Sequence, residues 1–118
     1  MEKRYDLEER TLKYAAAVNN FVALLPRNMA SIENISQLVR AAGSVGANYI
    51  EANEALSKKD FIMRIKISRK EAKESRYWLY LVLPNSAEAG LKERLINEAT
   101  ELIKIFSAIL SKCGVVKY

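Results

Sequence analysis

Apolar residues recur along this chain at alternating steps of three and four, the spacing that stacks side chains on one face of an α-helix. The first run takes in Leu7, Thr11, Tyr14, Val18, Phe21 and Leu25. A second passes through Ile35, Leu38, Ala42, Val45, Tyr49, Ala52 and Leu56, and a third through Phe61, Ile65, Ser68, Ala72, Ser75, Leu79 and Val82. The last carries Leu95, Ala99, Leu102, Phe106, Ile109 and Cys113. No stretch alternates with a period of two, so strands have no support.

Three breaks separate these runs. Pro26 and Pro84 stop helices, because proline lacks an N–H and restricts the residue before it. Between them, Ser57-Lys58-Lys59-Asp60 reads as an N-cap serine with an acid three residues on. Gly114 follows the fourth run where a C-cap glycine belongs. The pattern predicts helices over about 6–25, 32–55, 58–83 and 87–112, each about 30 to 39 Å long. Connections this short make neighbours antiparallel, so the expected fold is all-α, an up-down-up-down four-helix bundle forming one domain over 1–118.

The second helix has more apolar surface than one seam requires. Ile32, Val39, Gly43, Gly46 and Ile50 form a parallel stripe roughly 90° around from the first. Each glycine costs about 1 kcal/mol against alanine in a helix, so their clustering points to close approach of another backbone. That backbone is either a neighbouring helix of the same bundle or a second subunit. Met63, Ile67 and Trp78 lie off the third helix's seam and favour the second subunit. The expected oligomer interface is therefore Val39, Gly43, Gly46, Ile50, Met63, Ile67 and Trp78. On another flank of the second helix, Arg40, Ser44, Asn48 and Glu51 share an arc of roughly 80°. They form a polar strip that either fixes helix register or binds a ligand.

Charge changes the picture on the third helix. The chain carries 19 Lys and Arg against 14 Asp and Glu, a net excess of five. Lys59, Lys66, Arg69, Lys70, Lys73 and Arg76 fall within an arc of roughly 120° that contains no carboxylate, with Tyr77 and Tyr80 on the same side. Cations aligned over about 25 Å of helix suit a phosphate backbone, and tyrosines suit exposed bases. The rival reading is a scaffold or adaptor whose apolar surfaces bind itself or another protein and whose lysine-rich face is only solvated.

Composition argues against catalysis and metals. Histidine, the commonest general base and metal ligand, is absent. The single cysteine, Cys113, excludes an internal disulfide and falls on a seam, where a buried inert thiol is expected. Glu51/Glu54, Glu71/Glu74 and Glu98/Glu101 are spaced by three, but bundle di-iron sites need Glu-x-x-His. No phosphate-binding glycine loop, nucleophile elbow or Cys-x-x-Cys occurs. The expectation is no enzyme, no metal and no cofactor. No apolar run approaches a membrane span, and the charged start Met1-Glu2-Lys3-Arg4 lacks a signal-peptide pattern, so a cytoplasmic location is expected.

One block is distinctive: Arg40-Ala41-Ala42, then Asn48 with Glu51, then Ser57 through Ile62. It resembles the bacterial four-helix bundle proteins named for 23S rRNA intervening sequences. The chain departs from their usual Ile-Pro-x-Asn-Ile-Ala-Glu-Gly, carrying Val45-Gly46-Ala47-Asn48-Tyr49-Ile50-Glu51-Ala52 instead, and so resembles a divergent branch. The resemblance implies a left-handed antiparallel bundle that assembles into a ring, commonly a homopentamer, without enzymatic activity. Some relatives are encoded within inserts of 23S rRNA genes. Others are accessory variability proteins of diversity-generating retroelements, which implies RNA or DNA and a reverse transcriptase as partners besides the chain itself.

Overall fold

Ser57 shows how this sequence starts its helices. In the computed structural model, which describes residues 3–115 and the side chains of residues 6–115, the Ser57 hydroxyl accepts the Asp60 amide at 3.1 Å. The ends of the expected 1–118 domain lie outside the described residues. Asn28 does the same job upstream: its side chain accepts from the Ser31 amide at 2.9 Å, while the Ser31 hydroxyl accepts the Asn28 amide at 2.8 Å. This reciprocal capping box satisfies two amides that the helix leaves unpaired. The second helix therefore begins three residues earlier than its apolar rhythm suggests.

The helices are α1 (Lys3–Val22), α2 (Met29–Asn53), α3 (Lys58–Leu81) and α4 (Ala89–Lys112), with a 3-10 turn at Ser86–Glu88 leading into α4. Among the described residues there is no strand. Gly114 takes a left-handed φ of +85°, and the Val115 amide turns back to the Leu110 carbonyl at 3.0 Å, so α4 ends as the glycine predicts.

The helices run up, down, up, down, each packed on its chain neighbours, and α1 and α4 close the bundle most loosely. Its core is one cluster built from the predicted seams: Val18, Leu38, Val45, Ile65, Leu79, Leu102 and Phe106 are fully enclosed. Tyr49 meets Phe106 across the α2–α4 diagonal, ring centroids 6.1 Å apart. Across the other diagonal, the Tyr14 hydroxyl donates to the Ser75 hydroxyl at 2.7 Å, which in turn donates to the Ala72 carbonyl at 2.8 Å. Ser68, equally buried, donates to the Val45 carbonyl of α2 at 3.0 Å. Among the described residues, no buried side-chain polar atom lacks a partner.

Two seam positions need correction. Leu56 is 98% exposed, because α2 stops at Asn53 and the position where the rhythm would continue lies in the connection. Cys113 is only half-buried, being the residue at which α4 ends.

Candidate nucleic-acid interface

The six cations singled out on α3 do not share one environment. Its core seam is flanked on one side by α2, marked by the Ser68 bond to Val45, and on the other by α4. Arg69 and Arg76 stand at the α4 edge. Arg69 donates to the Ser107 hydroxyl at 3.3 Å and Arg76 to the Thr100 hydroxyl at 3.0 Å, so both guanidinium groups are half-buried straps between α3 and α4. Lys59, Lys66, Lys70 and Lys73 stand out in solvent. Among the described residues, the ion pair on this row is Lys70 with Glu71, at 4.0 Å. That distance lies at the limit of such contacts and leaves the charge largely hydrated.

The row runs into aromatics. Tyr77 and Tyr80 are 57% and 59% exposed, one turn beyond Lys73 and Arg76. Tyr77 packs at 77° against the half-buried Trp78, centroids 5.0 Å apart. Trp78 in turn packs against the bundle core, so the exposed tyrosine has a fixed neighbour.

The polar strip of α2 lies on the α2–α3 seam. Asn48 donates to the Ser44 carbonyl at 2.9 Å and accepts from Arg64 of α3 at 2.9 Å. Arg40 reaches back to Gln37 at 3.1 Å, and Glu51 is exposed. The strip is thus divided: Asn48 is a half-buried interhelical bond, while Arg40 and Glu51 face water. Arg64 escaped the sequence reading. The available signal was its position four residues before Ser68, beside the core seam and away from the lysine row. Glu71, on the same seam, has its carboxyl pushed above the ordinary range by burial and by neighbouring Glu74, partly offset by Lys70 and Arg40.

The second apolar stripe of α2 lies on its α1 flank, where Asn53 donates to Glu8 at 2.7 Å. Gly46 belongs to the bundle's own packing, because a Cβ built there would stand 2.8 Å from the Thr11 hydroxyl oxygen and 3.1 Å from Thr11 Cβ. Gly43 is bare: a Cβ there meets nothing within 4 Å. Val39 is half-buried against the core, and Ile32 and Ile50 are 57% and 50% exposed. Leu12 of α1, one turn after Glu8 on the same flank, is 68% exposed and extends this apolar surface. Met63 is also exposed, whereas Ile67 and Trp78 are half-buried on the α2 side of α3. The expected interface residues therefore occupy two separate surfaces, one beside α1 and one on α3.

Two clefts open along the loose α1–α4 seam, either side of a bidentate bridge in which Arg10 donates to Glu98 at 2.7 and 2.9 Å. The larger, about 470 Å³, has Leu7, Tyr49, Ile105 and Ile109 as its apolar wall. Among the described residues no group of three or more acidic or sulfur side chains is arranged to hold a metal ion. No helix there is long and apolar enough to cross a membrane.

A solved structure of a protein of unknown function from the S23 ribosomal protein family of Bacteroides thetaiotaomicron matches this bundle with a TM-score of 0.79. The two are 28% identical, over 93% of this chain and 99% of that one. No curated protein matches the chain. The sequence model of the 23S rRNA-intervening sequence proteins matches residues 3–108, which span all of the α3 face and both flanks of α2. The chain belongs to the 23S rRNA-intervening sequence protein family.

Proposed function

We propose that this chain is a non-enzymatic, self-associating protein that binds nucleic acid through the solvent face of α3. The observation that carries the reading is the exposed row Lys59, Lys66, Lys70 and Lys73, whose arc holds no carboxylate and which Glu71 reaches from outside it only at Lys70, at 4.0 Å. Such a row attracts phosphate by releasing condensed counterions, so affinity depends on salt. Four phosphate contacts to a single strand give log K a slope of about −3 against log salt. Arg69 and Arg76, strapped to α4, contribute field more than contact.

Self-association draws support from the exposed flank of Leu12, Ile32, Gly43 and Ile50, whose centre is open enough for another backbone. A head-to-tail ring of three or more subunits needs two different surfaces on each subunit, and the apolar positions of this chain fall on two.

The test is nucleic-acid retention across a salt series, with the triple variant Lys66→Glu, Lys70→Glu, Lys73→Glu beside the wild type. Loss of binding and a flatter slope in the triple variant are expected. Equal retention by both proteins would overturn the nucleic-acid reading. Sedimentation of Gly43→Glu tests the assembly, with a shift to smaller species expected; identical sedimentation would place self-association elsewhere.

A further inference from the structure

The lysine row alone does not distinguish a duplex from a single strand, since both present phosphates. Its C-terminal end does. Lys73 stands one turn before Tyr77, and Tyr80 one turn after that, so the cationic track leads onto two tyrosine rings that are more than half exposed. A base pair closed within a stacked duplex presents no free base face to an exposed aromatic ring. Such rings stack on the face of an unpaired base, whichever base it is. Trp78 anchors one of them: it is packed against the core and holds the Tyr77 ring at 77°, so stacking on Tyr77 orders little that is not already ordered.

We propose that the α3 face selects single-stranded nucleic acid, with phosphates on Lys66, Lys70 and Lys73 and an unpaired base stacked on Tyr77 or Tyr80. The proposal rests on the nucleic-acid reading above. It adds that the ligand is unpaired where it meets the end of the helix. About 16.5 Å separates Lys66 from Tyr77 along α3 at helical rise. That distance is two to three nucleotides of extended strand, so a short segment engages track and platform together.

Fluorescence anisotropy at low salt compares three labelled probes: a thymidylate dodecamer, a uridylate dodecamer and a twelve-base-pair duplex. The single strands should bind more tightly than the duplex, and the order of the two dodecamers assigns DNA or RNA. Tyr77→Ala combined with Tyr80→Ala should weaken single-strand binding five- to hundredfold, the range of one stacked base, and change duplex binding by less than threefold. Tyr77→Phe should bind as wild type, because stacking needs the ring and not the hydroxyl. Both tyrosines are exposed, so unchanged thermal melting will show that each variant is folded. Equal losses on strand and duplex, no loss with the double alanine variant, or a loss in Tyr77→Phe matching Tyr77→Ala would overturn single-strand selection. These outcomes leave the lysine reading standing. That reading fails separately, if Lys66→Glu, Lys70→Glu, Lys73→Glu binds every probe as wild type does.

Discussion

Two glycines three residues apart on α2 should respond to the same substitution with opposite signs. Gly43→Ala and Gly46→Ala each replace a helix-interior glycine, a change that stabilises by about 1 kcal/mol where the new methyl meets no obstacle. At Gly43 it meets none, since nothing lies within 4 Å of the added carbon. The melting temperature should rise by roughly 4 °C for a chain of this length. At Gly46 the carbon would stand 2.8 Å from Thr11 Oγ1 and 3.1 Å from Thr11 Cβ. Thr11 cannot turn away freely: it is buried, and its hydroxyl donates to the Leu7 and Glu8 carbonyls of α1, each at 3.0 Å. Overpacking of this kind costs about 1 to 3 kcal/mol and is met by moving α1 outward. The loss cancels or exceeds the propensity gain, so Gly46→Ala should melt below Gly43→Ala and at or below wild type. Thermal denaturation by circular dichroism at several protein concentrations separates the folding effect from any change in association. In a Thr11→Ala background the 2.8 Å contact is gone, leaving Cβ at 3.1 Å and an ordinary backbone contact at 3.7 Å, so Gly46→Ala should cost less there than in wild type. Equal stabilisation by the two alanines would refute the claim that Gly46 is the close-approach point of α1 and α2.

Two further outcomes follow from ionisable groups that the fold removes wholly or partly from water. Burial pushes the Tyr14 phenol up to about 12, against a smaller opposing effect of its bond to Ser75. The folded state therefore holds this proton more tightly than the unfolded chain, and stability present below pH 10 is lost as pH rises through 12. Roughly 2 to 3 kcal/mol should disappear over that window in wild type and be missing from the profile of Tyr14→Phe. Urea denaturation of both proteins at pH 9 and pH 12 measures the difference, and parallel profiles would refute the assignment. For Glu71, whose pKa is raised, folding disfavours the charged form above the folded value. Glu71→Gln should melt higher than wild type at pH 7, with the gap narrowing as pH falls and the wild-type carboxyl takes up its proton in both states. A gap that widens at low pH would contradict the raised pKa.

The seams were legible because burial in a bundle repeats with the helix: Thr11, Ser68 and Ser75 read as core positions despite their hydroxyls, and all three are buried. The rhythm misleads where a helix has already stopped. Leu56 keeps the right spacing, but the segment that would carry it ends at Asn53. At the other end of α2, the helix starts at Met29 ahead of its first buried position, because a capping box needs only Asn28 and Ser31 and no apolar contact. What one-dimensional spacing cannot supply is which flank of a helix meets which neighbour. Arg10 and Glu98 are separated by 88 positions, and nothing local to either marks the other as its partner. The same gap explains Gly46. Its stripe was visible, but whether α1 or another molecule covers it depends on how the helices are arranged around the bundle.

The cations of α3 show why a count of charge says little about function until the helix has neighbours. Its arginines, Arg64, Arg69 and Arg76, each hydrogen-bond to a side chain of an adjacent helix, whereas its lysines, Lys58, Lys59, Lys66, Lys70 and Lys73, are exposed. The division follows from chemistry. A guanidinium is planar, weakly hydrated and able to direct several donors at once, so it loses little in a half-buried seam. An ammonium is compact and strongly hydrated, and its free energy is lowest in water. Placed by the helix period on the edges of α3, the arginines tie it to α2 through Asn48 and to α4 through Thr100 and Ser107. Apart from the long Lys70–Glu71 contact, the lysines between those edges make no ion pair among the described residues, yet the helix that presents them is held in register on both sides. A charged row whose one ion pair among the described residues is the 4.0 Å Lys70–Glu71 contact, on a helix fixed by its neighbours, is already ordered for a ligand outside the chain. That is why the reading rests on the lysines and not on the chain's net charge of +5.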